Sequence, residues 1–326
     1  MPSIRVRPIA FESMGVRSMC TLVESPDVKV LIDPGLSLGP RFSLIPHPEE
    51  YRARSRLRRR LLEAAGEAEI LAVTHYHYDH YTPFFDESVW TGSTVEEAEM
   101  LYQGKDVLAK SYRGKVNLSQ RRRGWLFWRS LSERGINARE ADGSTFTFGE
   151  TKLIFSEPVP HGEQDSILGW VLMLLIERGG ERILFTSDIQ GPMAAPTMKL
   201  IEAWNPQLAI IGGPPIYLRG YRVSDEAIGK ALNNMLSLTG FIPLIIVDHH
   251  LLRDPGWTDF LDPVFKAAEA NGGIVHTAAS FSGSPVTPLE YKRKDLYASE
   301  PPSREFSEWI KLPEDSRRRT PPPIQP

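Results

Sequence analysis

Residues 74–80 read Thr-His-Tyr-His-Tyr-Asp-His and directly follow the apolar run Ile-Leu-Ala-Val at 70–73. This short run, with β-branched residues at both ends, predicts a buried strand that ends in a polar loop. Alternation along an extended chain places His75 and His77 on the same side, and the Asp-His pair that follows can turn toward a second position. The spacing therefore predicts two adjacent metal sites and disfavours an ordinary histidine-rich surface loop.

The segment 75–80 has the form HxHxDH and resembles the metal-binding signature of the metallo-β-lactamase superfamily. Further segments follow in the order expected for that superfamily, namely PVPHG at 158–162, FTSDIQGP at 185–192, GGPPIYL at 212–218 and DHHLLRD at 248–254. Together they resemble a largely archaeal family within the superfamily, over roughly residues 4–297. The resemblance implies a reaction type but no substrate.

An α+β fold follows from the resemblance, in the form of a four-layer αβ/βα sandwich with a basic helical insertion and the metals at one edge between two sheets. Seven residues are expected to bind two divalent cations: His75, His77 and His161 the first, Asp79, His80 and His249 the second, and Asp188 both. Because two histidines stand side by side at the last position, His250 is an alternative to His249.

Two further aspartates are expected to support the ligands rather than bind metal. Asp33 begins an Asp-Pro-Gly turn, and the resemblance implies that it holds the metal loop through hydrogen bonds; an ordinary turn residue is an equally open alternative. Asp248 directly precedes the paired histidines and is expected to orient a ligand through its second ring nitrogen.

The expected ligand set contains imidazoles and carboxylates but no thiolate, which favours zinc, with iron or manganese as alternatives. A water shared by two cations loses a proton near neutral pH, so a metal-bridging hydroxide would be the nucleophile of a hydrolysis reaction. Asp79 and Asp188 are therefore the expected catalytic residues, and Asp79 is also a possible proton acceptor.

Three functions fit this chemistry. The favoured one is a dinuclear metal-dependent hydrolase of an anionic phosphoester or nucleic-acid-like substrate. The alternatives are a hydrolase of a small lactone, thioester or amide, and a non-enzymatic metal or RNA-binding scaffold. Retention of every expected ligand argues against the scaffold.

An anionic substrate would need cationic side chains near the metals. Tyr217, Arg219 and Arg253 follow predicted strands and are expected to contact it, since arginine binds phosphate or carboxylate through two hydrogen bonds. The alternative is that these arginines form structural ion pairs with acids such as Asp225 or Asp254.

Arginine-rich helices are predicted in two insertions, at about residues 47–66 and 94–135. In the second, arginines are interleaved with aromatic residues after a predicted cap at Ser119, a pattern that could contact nucleic acid. The alternative is that the arginines face water while the aromatic residues pack on the body.

The whole chain has 326 residues, 41% hydrophobic content and a net charge of −3, so its overall charge does not indicate a nucleic-acid partner. The motif order predicts one metallo-β-lactamase-like domain over residues 1–298, followed by a mobile tail, 299–326, rich in proline and charge, with at most a small contact through Phe306, Trp309 and Ile310. The single cysteine, Cys20, excludes an internal disulfide. The longest apolar run, Val171–Ile176, is too short to span a bilayer, so no membrane partner and a cytoplasmic location are expected; the oligomeric state stays open.

Overall fold

The computed structural model describes residues 3–324; the first two residues of the predicted domain and the last two of the predicted tail lie outside that range. Its first sheet has six strands in chain order: β1 Arg5–Phe11, β2 Met19–Glu24, β3 Lys29–Ile32, β4 Ile70–Val73, β5 Asp106–Ala109 and β6 Ala138–Glu140. β1 to β3 pair antiparallel, whereas β3 to β6 pair parallel, so β4 ends at the same edge as β3 and β5.

Seven strands make up the second sheet, and a two-stranded ribbon lies between them in sequence. In chain order these strands are β7 Thr145–Phe148, β8 Thr151–Phe155, the ribbon β9 Val159–Pro160 and β10 Trp170–Val171, then β11 Leu174–Arg178, β12 Glu181–Phe185, β13 Leu208–Gly212, β14 Leu244–Asp248 and β15 Ile274–His276. The spatial order of the large sheet is β15-β14-β13-β12-β11-β8-β7, and β12 to β15 are parallel.

Alternation along the strands of the second sheet separates two cores. Ile210 and Ile246 share a hydrophobic cluster with residues of the first sheet, whereas Ile245 and Val247 pack in a second cluster with helical residues such as Leu261. Because successive side chains of a strand point to opposite faces, one face of this sheet meets the other sheet and the opposite face meets helices.

Helices cover the outer faces of both sheets. They are α1 Pro48–Glu67, α2 Val95–Tyr102 and α3 Leu118–Glu133 beside the first sheet, α4 Ala195–Trp204, α5 Asp225–Leu238 and α6 Trp257–Ala270 beside the second, and the shorter α7 Ala278–Phe281, α8 Arg293–Ser299, α9 Arg304–Ile310 and α10 Glu314–Arg319. The predicted α+β, four-layer αβ/βα sandwich is confirmed.

Both arginine-rich insertions form helices, and two arginines of α1 bind backbone carbonyls. In α1, Arg54 donates to the carbonyls of Ser88 and Val89, and Arg58 donates to the carbonyl of Thr91. Both arginines are buried, so they fix the loop that follows the metal-binding segment and do not face water. The cap of α3 is Asn117, not the predicted Ser119.

The C-terminal segment packs more closely than its composition predicts. Phe306 and Trp309 of α9 are buried and contact the ring of Tyr51 edge-on, so this part of the predicted mobile tail is held on α1. Such aromatic contacts supply the apolar burial that the proline-rich sequence around them lacks. Within residues 3–324, no helix is both long and apolar enough to cross a lipid bilayer.

Candidate metal centre

The expected ligands meet at one edge of the sandwich because several strands end there. The metal loop leaves the end of β4, Asp188 follows β12, and the paired histidines follow β14. Two contacts join the sheets at this edge: Leu172 N–H donates to the Thr74 carbonyl at 3.0 Å, and Thr74 Oγ1 lies 2.6 Å from Ser187 Oγ. The edge therefore brings together residues that are more than a hundred positions apart in sequence.

A first group of potential ligands contains His75, His77, His161 and Asp188, whose ligand atoms all lie within 4.8 Å of one another. His75 Nε2 is 3.2 Å from His77 Nδ1. Two nitrogen ligands of a tetrahedral zinc ion, each about 2.0–2.1 Å from the metal, are about 3.3–3.4 Å apart. The spacing of this pair therefore fits a single cation between them.

A second group contains Asp79, His80 and His249, again with ligand atoms within 4.8 Å. His249 Nε2 lies 3.7 Å from Asp79 Oδ2 and 3.5 Å from Asp188 Oδ2. Asp188 thus adjoins both groups, which is the position that a bridging carboxylate needs.

Several ligand atoms are buried without a hydrogen-bond partner among residues 3–324: His80 Nε2, both ring nitrogens of His161, His249 Nε2 and Asp188 Oδ1. His161 Nε2 lies 2.8 Å from Asp188 Oδ2, but the two atoms are not aligned as donor and acceptor. An unpartnered buried polar atom costs about 1–3 kcal/mol, and native proteins contain few of them. Divalent cations would satisfy most of these atoms together, so the residues fit a metal centre.

Asp33 lies behind the second group, where its predicted supporting role requires it to be. Its carboxylate accepts from Thr74 N–H at 2.8 Å and from Thr74 Oγ1–H at 2.7 Å, and it lies 2.7 Å from His80 Nδ1. Burial lowers the pKa of His80, but the Asp33 carboxylate outweighs it and the pKa is raised. Donation from Nδ1 to Asp33 leaves Nε2 of His80 free to face a metal.

Asp33→Asn is expected to weaken metal binding at the second group by about 10–100-fold, because it removes the carboxylate that orients His80. Competitive metal titration measures the change. Asp225→Asn is the matched control, since Asp225 is an exposed carboxylate that pairs with Arg219. Equal affinities of both variants and the unmodified protein would contradict the role assigned to Asp33.

Asp248 contributes differently from the prediction. Its carboxylate accepts from the backbone N–H groups of Ser13, His249 and Ala278 at 3.0, 2.7 and 2.9 Å, and it contacts no ring nitrogen. His249 has a left-handed backbone with φ of 70°, a conformation that is costly outside glycine. Asp248 therefore fixes the backbone of the histidine and not its ring.

No family model matches the chain. A UPF0282 protein of Methanopyrus kandleri is 41% identical over 298 residues, which cover 91% of this chain and 100% of that protein. The chain belongs to the UPF0282 family. The expected membership in an archaeal family is thus confirmed.

The solved structures to which the UPF0282 chain is similar are more distant. The metallo-β-lactamase fold protein YhfI from Bacillus subtilis is 13% identical with a TM-score of 0.45, covering 84% of this chain and 95% of that one. CmlA, a diiron β-hydroxylase from Streptomyces venezuelae, is 14% identical with a TM-score of 0.48. The match covers 85% of this chain and 53% of CmlA, so the chain spans about half of that protein.

The guanidinium of Arg253 lies at the centre of the UPF0282 site, but its nitrogens already contact other side chains of the protein. Its Nε donates to Glu12 Oε2 at 2.9 Å, Nη1 donates to Nδ1 of His250 at 3.1 Å, and Nη2 lies 3.4 Å from Nδ1 of His249. Nη2 is also 3.5 Å from Asp79 Oδ2. Arg253 is therefore a positioning residue for the ligands, contrary to the prediction that it grips substrate.

Of the two neighbouring histidines, His249 has the better geometry for a metal ligand. His250 Nδ1 lies 3.1 Å from both the Arg253 guanidinium and the Tyr217 hydroxyl, and arginine can only donate. Neutral His250 therefore carries its proton on Nε2, which faces Asp188 Oδ2 at 3.0 Å as a donor. His249 Nδ1 also lies near Arg253, at the longer distance of 3.4 Å, but its Nε2 has no hydrogen-bond partner among residues 3–324. His249 clusters with Asp79 and His80 as well as with Asp188, whereas His250 clusters only with Asp188 and His249.

The structure separates the two remaining predicted substrate residues. Tyr217 is at the site, with its ring nearly parallel to that of His250. Arg219 instead forms an exposed ion pair with Asp225, the alternative considered from the sequence, and among residues 3–324 it has no contact with the ligand groups. The structure therefore favours the ion-pair alternative for Arg219, because Asp225 at the start of α5 occupies its guanidinium.

Sequence reasoning missed three residues of the UPF0282 site. Ser187 lies 3.4 Å from His75 Nδ1, Glu12 holds Arg253, and Arg41 stacks on Tyr217. Ser187 directly precedes Asp188 and could have been found from its position in the motif. Glu12 and Arg41 lie in segments with no motif, so no local signal marks them.

Burial controls the charge of the ligands. It lowers the pKa of His77 and of His249 to about 3 and that of His250 to about 4, so these imidazoles are neutral at pH 7, the form that binds metal. Burial would raise the pKa of Asp79, but the neighbouring His80 and His249 outweigh it and hold that pKa well below its usual range. A carboxylate with a low pKa is a weak base, so Asp79 fits the role of ligand better than that of proton acceptor.

The metal-free protein is expected to lose stability as the pH falls from about 6.5 toward 3. Unfolded histidine titrates near pH 6.5, whereas His77 and His249 bind a proton in the folded protein only near 3. The unfolded state therefore binds more protons in this window, and the free energy of unfolding falls by on the order of 1–3 kcal/mol per pH unit.

Thermal unfolding in the presence of a chelator, between pH 7.5 and 4.5, tests this expectation. His77→Gln should make the pH dependence shallower, whereas His276→Gln, a change outside the ligand groups, should leave it as it is. A melting temperature that stays constant down to pH 4.5 would contradict the expectation.

Proposed function

We propose that this UPF0282 chain is a hydrolase that depends on two divalent cations, with zinc favoured. The observation that carries the proposal is the set of buried histidine nitrogens and the carboxylate oxygen that converge without hydrogen-bond partners. A purely structural histidine cluster would pair these atoms with one another or with the backbone. Iron or manganese also suits imidazole and carboxylate ligands.

The first cation would be held by His75, His77 and His161, the second by Asp79, His80 and His249, and both by Asp188. When bound, such a cation pair acidifies a coordinated water and polarises the bond under attack. Asp33 orients His80, while Arg253 holds Asp79 and the paired histidines in place.

An anionic phosphoester is the substrate class that we favour. His250 is 13% exposed at its side chain and directs its Nε2–H donor toward Asp188, where it can also donate to an oxygen of the substrate. Tyr217 fixes the tautomer and the plane of this ring. A negatively charged group would complement both the cation pair and this donor.

Metal analysis combined with a substrate panel tests the proposal. Protein reconstituted with zinc, iron or manganese is assayed with chromogenic phosphodiesters, lactones and thioesters, and a chelator-treated sample is the control. The expected result is close to two ions per chain and chelator-sensitive hydrolysis of a phosphodiester. If only the lactone or thioester were hydrolysed, that compound class would replace the phosphoester as the proposed substrate. Failure to bind metal, or metal binding without any hydrolysis, would overturn the proposal, the latter in favour of a scaffold.

A further inference from the structure

Two half-buried arginines adjoin the metal centre and have no carboxylate partner anywhere in the described part of the chain. They are Arg41 and Arg123. In this respect they differ from Arg253 and Arg219, whose charges are neutralised by Glu12 and Asp225. A half-buried, unpaired guanidinium is costly to desolvate, so its position beside a candidate active site needs a reason.

Arg123, from α3, lies beside the first ligand group. Its Nη1 donates to the carbonyl of Tyr76 at 3.1 Å, within the metal loop, and its guanidinium lies over the ring of Tyr78 at 4.6 Å. One backbone contact and one ring contact hold the side chain while leaving further N–H donors.

Arg41 contacts Tyr217 and the backbone of Arg253, two residues that border the paired histidines. Its guanidinium stacks over the ring of Tyr217 at 4.5 Å, and Nη2 donates to the carbonyl of Arg253 at 3.3 Å. Tyr217 in turn contacts His250, which faces Asp188. The Nε atom of Arg41 is buried with no hydrogen-bond partner among residues 3–324.

The turn that carries Arg41 is strained. Leu44 N–H donates to the Arg41 carbonyl at 2.9 Å, and the two residues between them, Phe42 and Ser43, have positive φ angles of 56° and 58°. Turns of this kind favour Asn-Gly, because other residues resist the left-handed region. The buried Arg293 donates to the Leu44 carbonyl at 3.0 Å and braces the turn. Strained backbone that is braced in this way is concentrated at functional sites.

We propose that Arg41 and Arg123 bind anionic groups on either side of the reacting bond, so that the substrate is a phosphodiester flanked by further phosphates, as within a nucleic-acid strand. A guanidinium already stacked on tyrosine is preorganised, and its free N–H groups can bind a phosphate bidentately. Arg123 adjoins the metal loop and Arg41 adjoins Tyr217 beside His250, and a single isolated phosphate between the cations would not need both. This inference rests on the proposed hydrolase function and specifies its substrate.

Binding of four thymidine dinucleotides tests the inference without turnover. Their internal linkage is a methylenephosphonate, which is not cleaved, and they carry no terminal phosphate, a 5′-phosphate, a 3′-phosphate or both. For the metal-loaded protein, each terminal phosphate is expected to strengthen binding by about tenfold. Arg41→Ala should abolish the gain from one terminal phosphate and Arg123→Ala the gain from the other.

Arg219→Ala and Arg121→Ala are matched controls, because Arg219 pairs with Asp225 and Arg121 is an exposed residue of α3. Both control variants should keep the increase in affinity that each terminal phosphate produces. All four alanine variants should keep the metal content of the unmodified protein. Arg41→Lys and Arg123→Lys are measured as well, since they preserve charge and bulk if the alanine variants fold poorly; each should lose most of the same gain, because lysine lacks the planar fork.

The inference would be overturned if terminal phosphates left the binding affinity unchanged. It would also be overturned if the Arg41 and Arg123 variants kept the same increase in affinity as the controls. Its failure is distinct from failure of the proposed function. If the protein hydrolyses simple phosphodiesters but shows no arginine-dependent gain, only the inference falls. If the gains follow the two arginines but no substrate is cleaved, only the hydrolase function falls.

Discussion

Replacing Asp188 with alanine is expected to lower metal content at both positions of the centre together, from close to two ions per chain to well below one. Asp188 adjoins both ligand groups, with Oδ2 at 2.8 Å from His161 Nε2 and 3.5 Å from His249 Nε2. Changes to residues that only support a ligand already cost about 10–100-fold in metal affinity or activity, so loss of a shared ligand should cost more than about 100-fold in turnover. Elemental analysis after reconstitution measures the first effect.

Asp165→Ala is a suitable control, because Asp165 is exposed in the loop that follows His161 and is not part of any ligand group. It should retain both ions. If Asp188→Ala lost only one ion, the carboxylate would serve a single cation and the assignment of a bridging role would be wrong.

The adjacent histidines provide the second large effect. His249→Ala is expected to empty the second site and reduce turnover by more than about 100-fold, since it deletes a ligand. His250→Ala is expected to keep close to two ions per chain and to lower turnover by a smaller factor, about 10–100-fold, because it deletes only a hydrogen-bond donor. The structural basis is the ring nitrogen: Nε2 of His249 has no hydrogen-bond partner in the described part of the chain, whereas both ring nitrogens of His250 have partners in Asp188, Arg253 and Tyr217.

Metal content and kinetics of the two variants separate these roles. Glutamine at position 250 is a useful additional change, because its amide can still donate where His250 Nε2 does; partial recovery of turnover is expected. If His250→Ala emptied the second site while His249→Ala did not, the ligand would be His250.

Much of the centre could be predicted because its ligands are arranged by short-range rules. Three histidines and an aspartate lie within six residues after β4, and a strand followed by a polar loop is a local property of the sequence. Likewise, the run at 208–211 alternates between two cores in the way that its aliphatic residues require. For Asp33 the resemblance implied a supporting role but left an ordinary turn residue open, and the pairing of β3 with β4 in the folded chain places it beside the metal loop.

The contacts of the arginines could not be predicted in this way. α1 and α3 look alike in sequence, yet Arg54 and Arg58 of α1 are buried against backbone carbonyls, whereas Arg123 of α3 faces the metal loop. Arg219 was assigned to the substrate from its place in the loop, but Asp225 holds it. Long side chains can reach many partners, so their contacts depend on which segments lie within several ångströms in the folded chain.

The sequence by itself determined the character of the metal loop, a buried strand followed by histidine and aspartate side chains, and the resemblance of its motifs to a known superfamily implied the αβ/βα sandwich. Strand alternation and the spacing of the metal loop act over a few residues, so they can be read without coordinates. Only the tertiary structure decided which charges remain free beside the ligands. Glu12 meets Arg253, and Arg41 meets Tyr217, across more than 170 positions of sequence. Such pairings follow from the packing of the two sheets at their common edge, which brings loops that are distant in sequence within contact of these guanidinium groups.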